Sequence, residues 1–353
     1  MTRKKKKLSV IAVDLFCGIG GLTYGLNKSG IKVIAGVDVD ERCKFAFEKN
    51  NGALFINKSI KEISSKEILK LYPTQSLKVL VGCAPCQPFS KHTQKEKDRE
   101  AKEDWGLLYR FFELIDGVEP MVVSMENVPQ IAKHRVFSDF INSLKSKKYH
   151  ISWKNVYCPD YGIPQNRRRL VLLASKLGEI SLIAPTHKPK NYKTVKMAIG
   201  DLEPIKAGYS SKKDRLHKSA ALSKINLKRI KKSVPGGSWR DWDENLRAVC
   251  HRKESGDTYS SVYSRMEWNK PSSTITTQFF SFGTGRFGHP EQDRALSIRE
   301  GAILQTFPRK YKFIPPASPV ELKRLGRYIG NAVPVRLGEI IGKSIIKHFE
   351  EHL

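Results

Sequence analysis

The sequence has few cysteines and no long apolar segment, and these absences exclude several classes of protein. Six cysteines in 353 residues are too sparse for a disulfide framework, so we expect reduced thiols. No run of 18 apolar residues occurs, which excludes an ordinary transmembrane helix. No signal-peptide cleavage pattern follows the basic N-terminus, so we expect a protein of the cell interior.

Acidic residues are also scarce relative to basic ones. The chain carries 63 Lys and Arg against 35 Asp and Glu, a net charge of +28. Such a surplus favours a polyanionic partner, nucleic acid or an anionic membrane, although a merely basic protein has the same composition. With 40% hydrophobic residues, the chain can form one large or two ordinary domains with a real core.

Strand and helix patterns alternate along the first half of the sequence. Residues 8–16 are short, apolar and β-branched, as in a buried strand, and a helix at 22–29 and a strand at 31–37 follow. Further strand patterns lie at 79–81, 121–125 and 169–174, and further helix patterns at 41–49, 107–115 and 136–144. This alternation predicts an α/β fold with a doubly wound, mostly parallel sheet that helices cover on both faces.

The pattern changes after residue 184. Residues 185–233 hold 14 Lys and Arg against three acids, a surplus of 11, and periodicity is weak until a strand pattern at 274–280. We predict a second, smaller domain at 185–316, with 1–184 and 317–353 forming the first. A last helix over 335–349, apolar at helical spacing, is expected to pack on the first domain.

A glycine-rich motif, residues 14–21, follows the first strand pattern. Asp38 ends the second strand 18 positions after Gly20. In a Rossmann-like unit such a carboxylate binds ribose hydroxyls, while glycines let the backbone approach a ligand closely. The third spaced glycine of a dinucleotide fingerprint is missing, so S-adenosylmethionine is at least as well suited as NAD. A simple tight turn is the alternative interpretation.

A second motif, residues 82–90, contains Cys83 and Cys86 in C-x-x-C spacing just after a strand pattern. A redox pair, half of a zinc site and two buried thiols are alternatives, but no second C-x-x-C completes a zinc site. The remaining interpretation makes Cys86, between two prolines, a nucleophile.

Two further motifs lie at strand ends. Glu126, at the end of its strand, shares the sheet edge with the Cys86 loop and becomes a candidate general acid beside a thiol. Residues 165–169 read Gln-Asn-Arg-Arg-Arg. In an alternating strand Arg167 and Arg169 share one face and could hold a base oxygen or phosphates, although a solvated charge run is the alternative.

These four motifs, in this order, resemble those of the cytosine-C5 DNA methyltransferase family, of the bacterial restriction-modification type. Residues 295–300, 305–308 and 328–334 match it as well. The matches span nearly the whole chain, and the variable interval falls where the family keeps its target-recognition domain. The resemblance implies a Rossmann-like fold, methyl transfer from S-adenosylmethionine, S-adenosylhomocysteine as product, and double-stranded DNA as partner.

The resemblance also implies roles for individual residues. Cys86 would attack carbon 6 of a flipped cytosine, Glu126 would hydrogen-bond N3 and the exocyclic amine and deliver a proton, and Arg167 would hold the carbonyl oxygen. Arg169 would position the nucleophile loop, and Gln87 completes the catalytic set. The expected cofactor-binding residues are Asp14, Phe16, Gly18, Gly20, Gly21, Asp38, Val39, Ser59, Pro85, Leu108, Asn331 and Val333. The expected substrate-binding residues are Asn127, Gln165, Trp239 and Arg240.

Two positions depart from the family pattern. Val39 stands where the family often has a bulky residue that packs on adenine. Residues 57–60 lack the acid expected at the adenine amine, so Ser59 would make a weaker contact there. Neither departure affects the methyl-transfer chemistry.

The basic interval contains a candidate DNA-reading loop at residues 233–242. Its glycines, Arg240 and two tryptophans suit a loop that enters a groove, but a corner with Trp239 and Trp242 packed inward is an equally weighted alternative. The aromatic residues of 279–286 are expected in the core. No histidine or cysteine spacing indicates a metal, so none is predicted.

Two other functions remain as alternatives, an RNA (tRNA) cytosine-5 methyltransferase and a non-catalytic nucleic-acid-binding protein. The basic interval favours DNA, and the set of Cys86, Glu126 and Arg167 favours an enzyme. The resemblance further implies a cytoplasmic, nucleoid-associated monomer of bacterial type with no membrane partner, and it allows a cognate restriction endonuclease that shares the DNA site.

Overall fold

The computed structural model describes residues 9–84, 106–252 and 260–353. The chain divides into two compact units. The first comprises residues 1–157, 168–185 and 333–353, and the second comprises 158–167 and 186–332. The sequence placed a domain boundary after residue 184, next to this division, but it assigned 158–167 and 317–332 to the first domain. The recognition role of the second domain stays a prediction.

A seven-stranded sheet forms the centre of the first unit. The strands are β1 Ser9–Leu15, β2 Lys32–Asp38, β3 Leu54–Asn57, β4 Ser76–Gly82, β5 Val122–Asn127, β6 His150–Tyr157 and β7 Arg168–Ser175. Their order in the sheet is β3-β2-β1-β4-β5-β7-β6. Strand β7 runs antiparallel to both of its neighbours, and the remaining pairs are parallel. The predicted doubly wound, mostly parallel sheet is therefore confirmed.

Helices cover both faces of this sheet. They are α1 Gly21–Lys28, α2 Lys44–Asn51, α3 Ser65–Leu71, α4 Gly106–Val118, α5 Arg135–Ser146 and, near the C-terminus, α10 Val335–His352. Side chains of β1 alternate between the faces: Val13 and Leu15 join the core with α4 and α5, whereas Asp14 contacts Thr23 of α1. Because both faces are covered, the central strands are continuous apolar runs instead of alternating ones.

The last helix packs on the first unit, as predicted. Where α10 contacts α1, a Cβ at Gly25 would lie 2.3 Å from the Val335 carbonyl oxygen, and one at Gly338 would lie 2.8 Å from the Leu22 carbonyl oxygen. The absence of side chains at these two positions lets the helix backbones approach closely.

The second unit contains little regular structure. Its helices are α6 Val195–Ile199, α7 Lys224–Lys232, α8 Ile298–Leu304 and α9 Leu322–Asn331. Two strands of two residues, Gln165–Asn166 and Ser272–Ser273, pair in parallel.

The strand predicted at 274–280 is wrong, because residues 277–280 form a turn. Phe279 packs against Gly301 of α8 and Phe280 against Gly326 of α9. The apolar pattern at 279–280 therefore reflects packing of these two side chains against helices. It does not reflect a β-strand. Within the part of the chain that the structure describes, no helix is long and apolar enough to cross a membrane.

Candidate active site

The glycine-rich loop leaves β1 through three left-handed residues. Phe16, Gly18 and Gly20 have φ angles of 60°, 49° and 84°. A Cβ on Gly18 would meet nothing within 4 Å, so this side of the loop is open. Gly20 is the N-cap of α1 and Gly21 its first residue, and no side chain caps this helix end. The positive end of the α1 dipole therefore suits an anionic group of a ligand.

Asp38 is fixed beside this loop. One carboxylate oxygen accepts the Gly18 N–H at 2.8 Å, and the other accepts the Asp40 N–H at 2.9 Å. Burial raises the pKa of Asp38. The next residue, Val39, is 68% exposed. The predicted ribose acid thus lies at the glycine loop, with an exposed apolar side chain directly after it.

Residues of the following loop hold this turn in place. The Asn57 side chain donates to the carbonyl oxygens of Asp38 at 3.1 Å and Val39 at 3.0 Å. The Ser59 hydroxyl accepts the Lys61 N–H at 3.2 Å, within its own turn. Asn57 therefore supports the Asp38 turn, a role that the sequence pattern did not indicate.

Asp14 lies beneath the loop, with 1% of its surface exposed. Its carboxyl group accepts the Thr23 hydroxyl at 2.6 Å, which joins β1 to α1. Burial, together with the nearby charge of Asp38, raises the pKa of Asp14 to about 7 despite this hydrogen bond. Asp14 and Thr23 support the loop from below, and no sequence pattern indicated this role for Thr23.

Glu126 lies at the end of β5, where its carboxylate is held from two sides. Only 2% of its surface is exposed. The Cys83 thiol donates to one carboxylate oxygen at 3.0 Å. The Arg169 Nε lies 3.1 Å from the other oxygen. A buried carboxylate between a thiol and a guanidinium is a suitable group for proton transfer to a bound base.

The segment that carries the predicted nucleophile starts next to this carboxylate. Pro85, Cys86 and Gln87 lie outside the described residues, and Ala84 is the last described residue before them. The buried Asn127 side chain donates to the Ala84 carbonyl at 3.4 Å and accepts the Val128 N–H at 2.8 Å. Asn127 thus joins the end of β5 to the start of the nucleophile segment.

The structure gives the two predicted arginines different environments. Arg169, on β7, lies at Glu126. Arg167, in the second unit, is buried and donates to the carbonyl oxygens of Ile275 at 3.1 Å and Gly330 at 3.4 Å. The expected role of Arg167 at a base oxygen stays a prediction, and in the structure its guanidinium holds loop carbonyls of its own unit.

Gln165, whose contact with substrate stays a prediction, is part of the packing of the second unit. Its amide nitrogen donates to the Leu304 carbonyl at 3.2 Å and to the Gln305 side chain at 2.9 Å, and its oxygen accepts the Ile275 N–H at 2.8 Å. The completely buried Gln305 also donates to the Ile329 carbonyl at 2.7 Å. The two amides satisfy loop and helix-end carbonyls, so Gln165 has a structural role.

The tryptophans of the candidate DNA-reading loop pack inward. Trp239 is 2% exposed and stacks on His251 with ring centroids 4.3 Å apart, and Trp242 donates to the Ser233 hydroxyl at 3.1 Å. The inward-packed alternative thus describes both tryptophans, and the substrate contact expected of Trp239 stays a prediction. Arg240 is exposed, with its guanidinium 5.4 Å from the Trp239 ring centroid.

The remaining predicted cofactor residues lie in three environments. Leu108 is buried in the core of the first unit. Asn331 is the exposed last residue of α9 in the second unit. Val333 is buried shortly before α10 in the first. Among the described residues, no group of three His, Cys, Asp or Glu side chains is placed to hold a metal ion.

Comparisons with known proteins agree with these features. The model of the family described as C-5 cytosine-specific DNA methylase matches residues 10–347. The Type II methylase M.HgiDII of Herpetosiphon aurantiacus is 53% identical over 341 residues, which cover 96% of this chain and 95% of that protein. The Type II methyltransferase M1.HphI of Haemophilus parahaemolyticus is 27% identical over 345 residues, which cover 96% of this chain and 87% of that protein.

A solved structure shows the same fold. It is a DNA modification methyltransferase encoded within an Escherichia coli prophage, with a TM-score of 0.72 and 22% identity, and it covers 97% of this chain and 100% of its own. The family match extends over nearly the whole sequence and includes the glycine loop, Asp38 and Glu126. This chain therefore belongs to the family of C-5 cytosine-specific DNA methylases and is a DNA cytosine-C5 methyltransferase.

Proposed function

We propose that the enzyme methylates one cytosine of a specific duplex DNA site through a covalent bond between Cys86 and carbon 6 of the flipped base. The observation that carries this proposal is the Glu126 carboxylate, held between Cys83 and Arg169 at the end of β5. The segment that contains Cys86 leaves β4 beside the same strand end. The chain that leads to the nucleophile therefore leaves the strand next to the one that carries the proton donor.

Carbon 5 of cytosine is a poor nucleophile, and the residues of the chain have to activate it. The Cys86 thiolate adds to carbon 6, and the electron pair of the 5,6 double bond moves into the ring. Glu126 delivers a proton to N3 as the ring takes up this charge. When bound, S-adenosylmethionine would supply the methyl group to the activated carbon 5, with S-adenosylhomocysteine as the leaving group. Carbon 5 then loses its proton to a base, N3 returns its proton to Glu126, and the ring expels the Cys86 thiolate.

We assign to Arg169 the contact with the base carbonyl oxygen that the resemblance implies for Arg167. Arg169 lies beside Glu126, so a base that contacts the carboxylate through N3 presents its neighbouring carbonyl oxygen within reach of a guanidinium. Arg167 is engaged with the carbonyl oxygens of Ile275 and Gly330. Its substitution would affect activity through the loops that it holds.

The glycine loop fits S-adenosylmethionine, the methyl donor of the family. When bound, this cofactor supplies a methyl group on a positively charged sulfur. Asp38 would accept the ribose hydroxyls, and the exposed Val39 side chain would pack on the adenine. Gly18 leaves open space for a close backbone approach, and the α1 N-terminus would face the carboxylate of the methionine part.

A base inside a duplex is inaccessible, so the cytosine has to leave the helix at a cost of a few kcal/mol. The net charge of +28 supports phosphate contacts that offset this cost. The likeness to the Type II methylase M.HgiDII supports a restriction-modification setting. We further propose action as a monomer in the bacterial cytoplasm, beside a companion endonuclease for the same site.

Transfer of labelled methyl groups to duplex DNA tests this function, with tRNA as the parallel substrate. We expect label at carbon 5 of cytosine in DNA, no transfer by Cys86→Ser, and unchanged cofactor binding by that variant. DNA that carries 5-fluorocytosine at the target should remain covalently attached to Cys86, because fluorine replaces the carbon-5 proton and cannot leave as a cation. Transfer to tRNA alone, or a fully active Cys86→Ser variant, would overturn the proposal.

A further inference from the structure

We propose that Cys83 is a positioning residue, whose thiol holds the Glu126 carboxylate in the orientation that transfers a proton to the base. The inference rests on the proposed role of Glu126. Cys83 belongs to the C-x-x-C motif, but the mechanism above uses only Cys86. The structure gives its thiol a partner of its own, the buried oxygen of Glu126 at 3.0 Å.

The strand register explains why these side chains meet. β4 and β5 are parallel neighbours, and Gly82 lies opposite Met125. The next residues, Cys83 and Glu126, therefore lie side by side and point to the same face of the sheet.

Arg169 approaches the same carboxylate from the other neighbouring strand. Glu126 lies opposite Val171 of β7, and Arg169 is two residues from Val171 on the same face, a diagonal neighbour of Glu126. Three adjacent strands thus direct a thiol, a carboxylate and a guanidinium to one point.

The two carboxylate oxygens of Glu126 have different contacts. The Cys83 thiol hydrogen-bonds one oxygen, whereas the Arg169 Nε faces the other at 3.1 Å without a hydrogen bond. The thiol is therefore the directional contact, and without it the carboxylate can rotate beside the guanidinium. Proton transfer requires a donor within hydrogen-bond reach, so such rotation slows the chemical step.

A thiol suits this position because it is a weak, uncharged donor. It orients one oxygen of Glu126 without adding a second cation beside Arg169. A lysine or arginine at position 83 would instead favour a permanently charged carboxylate, which has no proton to give to the base.

The test compares three substitutions of Cys83 in the full-length enzyme. Cys83→Ala and Cys83→Val remove the donor, whereas Cys83→Ser keeps one. We expect kcat to fall about tenfold in the Ala and Val variants, the loss typical of a hydrogen bond to a charged group. We expect Cys83→Ser to retain kcat within about threefold of the parent, on the same scale of hydrogen-bond strengths. The KM for S-adenosylmethionine should stay unchanged in all three, since Cys83 acts through Glu126.

Cys43→Ala is the matched control, because it also removes a thiol of the first unit, the buried one in the turn after β2. It should keep the kcat of the parent. Calorimetric binding of S-adenosylmethionine and the melting temperature verify that each variant is folded. The Val and Ala variants differ in volume, so a loss shared by both is due to the missing donor.

Two results would overturn the inference. The first is a kcat of the Cys83→Ala and Cys83→Val variants equal to that of the parent. The second is a kcat that falls equally in all three variants, Cys83→Ser included. Glu126→Gln separates this failure from that of the proposed function. An inactive Glu126→Gln enzyme beside a fast Cys83→Ala enzyme removes only the role of Cys83. A fully active Glu126→Gln enzyme removes the role of Glu126 and with it that of Cys83.

Discussion

At the scale of single residues, the glycine loop is supported by a carboxyl group that burial keeps from ionising readily. Asp14 is 1% exposed, and its pKa is raised to about 7. The folded state therefore holds this proton more tightly than the unfolded state, in which the group has its ordinary pKa of 3.8. The stability that the proton contributes is fully present below about pH 4 and is lost as the pH rises towards 7.

Asp14→Asn should remove this pH dependence, because the amide carries no titrating proton and its oxygen can still accept the Thr23 hydroxyl. The free energy of unfolding of the variant relative to the parent should increase between pH 4 and pH 7. A shift of three units corresponds to about 4 kcal/mol as an upper value. Urea unfolding of both proteins at several pH values measures this difference. A difference that does not change with pH would contradict the prediction.

At the scale of secondary structure elements, the α1–α10 contact depends on two positions without side chains. A Cβ at Gly25 would lie 2.3 Å from the Val335 carbonyl oxygen and 2.5 Å from the Glu339 nitrogen. Both contacts are to backbone atoms, which cannot move aside as a flexible side chain can. The helices would have to separate to accommodate even one methyl group.

Gly25→Ala should therefore destabilise the first unit by about 1–3 kcal/mol, the typical cost of overpacking. Thermal unfolding measures this loss. Gly106→Ala, in the first residue of α4, is the matched control, because a Cβ there meets nothing within 4 Å. If both substitutions have the same effect, close helix approach is not the reason for glycine at position 25.

The start of α8 contains a buried ion pair. Glu300 closes a capping box with Ser297 and accepts two hydrogen bonds of 2.7 Å from Arg294. Burial alone would raise the pKa of Glu300, but the Arg294 charge and hydrogen bonds lower it to about 2. Because this pKa is lowered, the stabilisation is present above the ordinary value of 4.5 and is lost as the pH falls towards 2.

Glu300→Gln should cost about 3–5 kcal/mol at neutral pH, because it leaves the Arg294 charge buried without its counterion. Denaturant unfolding at pH 7 measures the loss. The exposed pair of Arg309 and Asp201 provides the control, and Asp201→Asn should cost less than about 1 kcal/mol. Equal losses in the two variants would show that burial does not determine the strength of these pairs.

At the scale of the whole molecule, the charge surplus determines how the enzyme binds DNA. Its 63 basic residues release counterions from the phosphates that they contact. For about six to ten phosphate contacts, DNA affinity should fall by about 10³–10⁵ between 50 and 200 mM salt. Titration of a labelled duplex at several salt concentrations gives the slope. The affinity for S-adenosylmethionine, measured in the same buffers, is the control and should change little. A DNA affinity that does not depend on salt would contradict this prediction.

The fold class and much of the site could be predicted because their signals are local. Apolar runs that alternate with helical patterns gave the parallel sheet, and residues directly after strands have to lie at its edge. Asp38 and Glu126 were predicted in this way. Strand β6 was missed because it lies at the edge of the sheet with only one of its eight residues buried, so no apolar run marks it. Helix α3 was missed although Ser64 and Glu67 form a capping box at its start.

The sequence by itself determined the order of elements, the glycine turn and the chemical groups at the strand ends, because each depends on neighbouring residues. Only the tertiary structure decided which of two similar side chains meets a given partner. Register between distant strands directs Arg169 and Cys83 to Glu126, and packing within the second unit directs Arg167 and Gln165 to backbone carbonyls and Trp239 to the core. Such contacts join residues far apart in the chain, and local pattern contains no information on the distance between them.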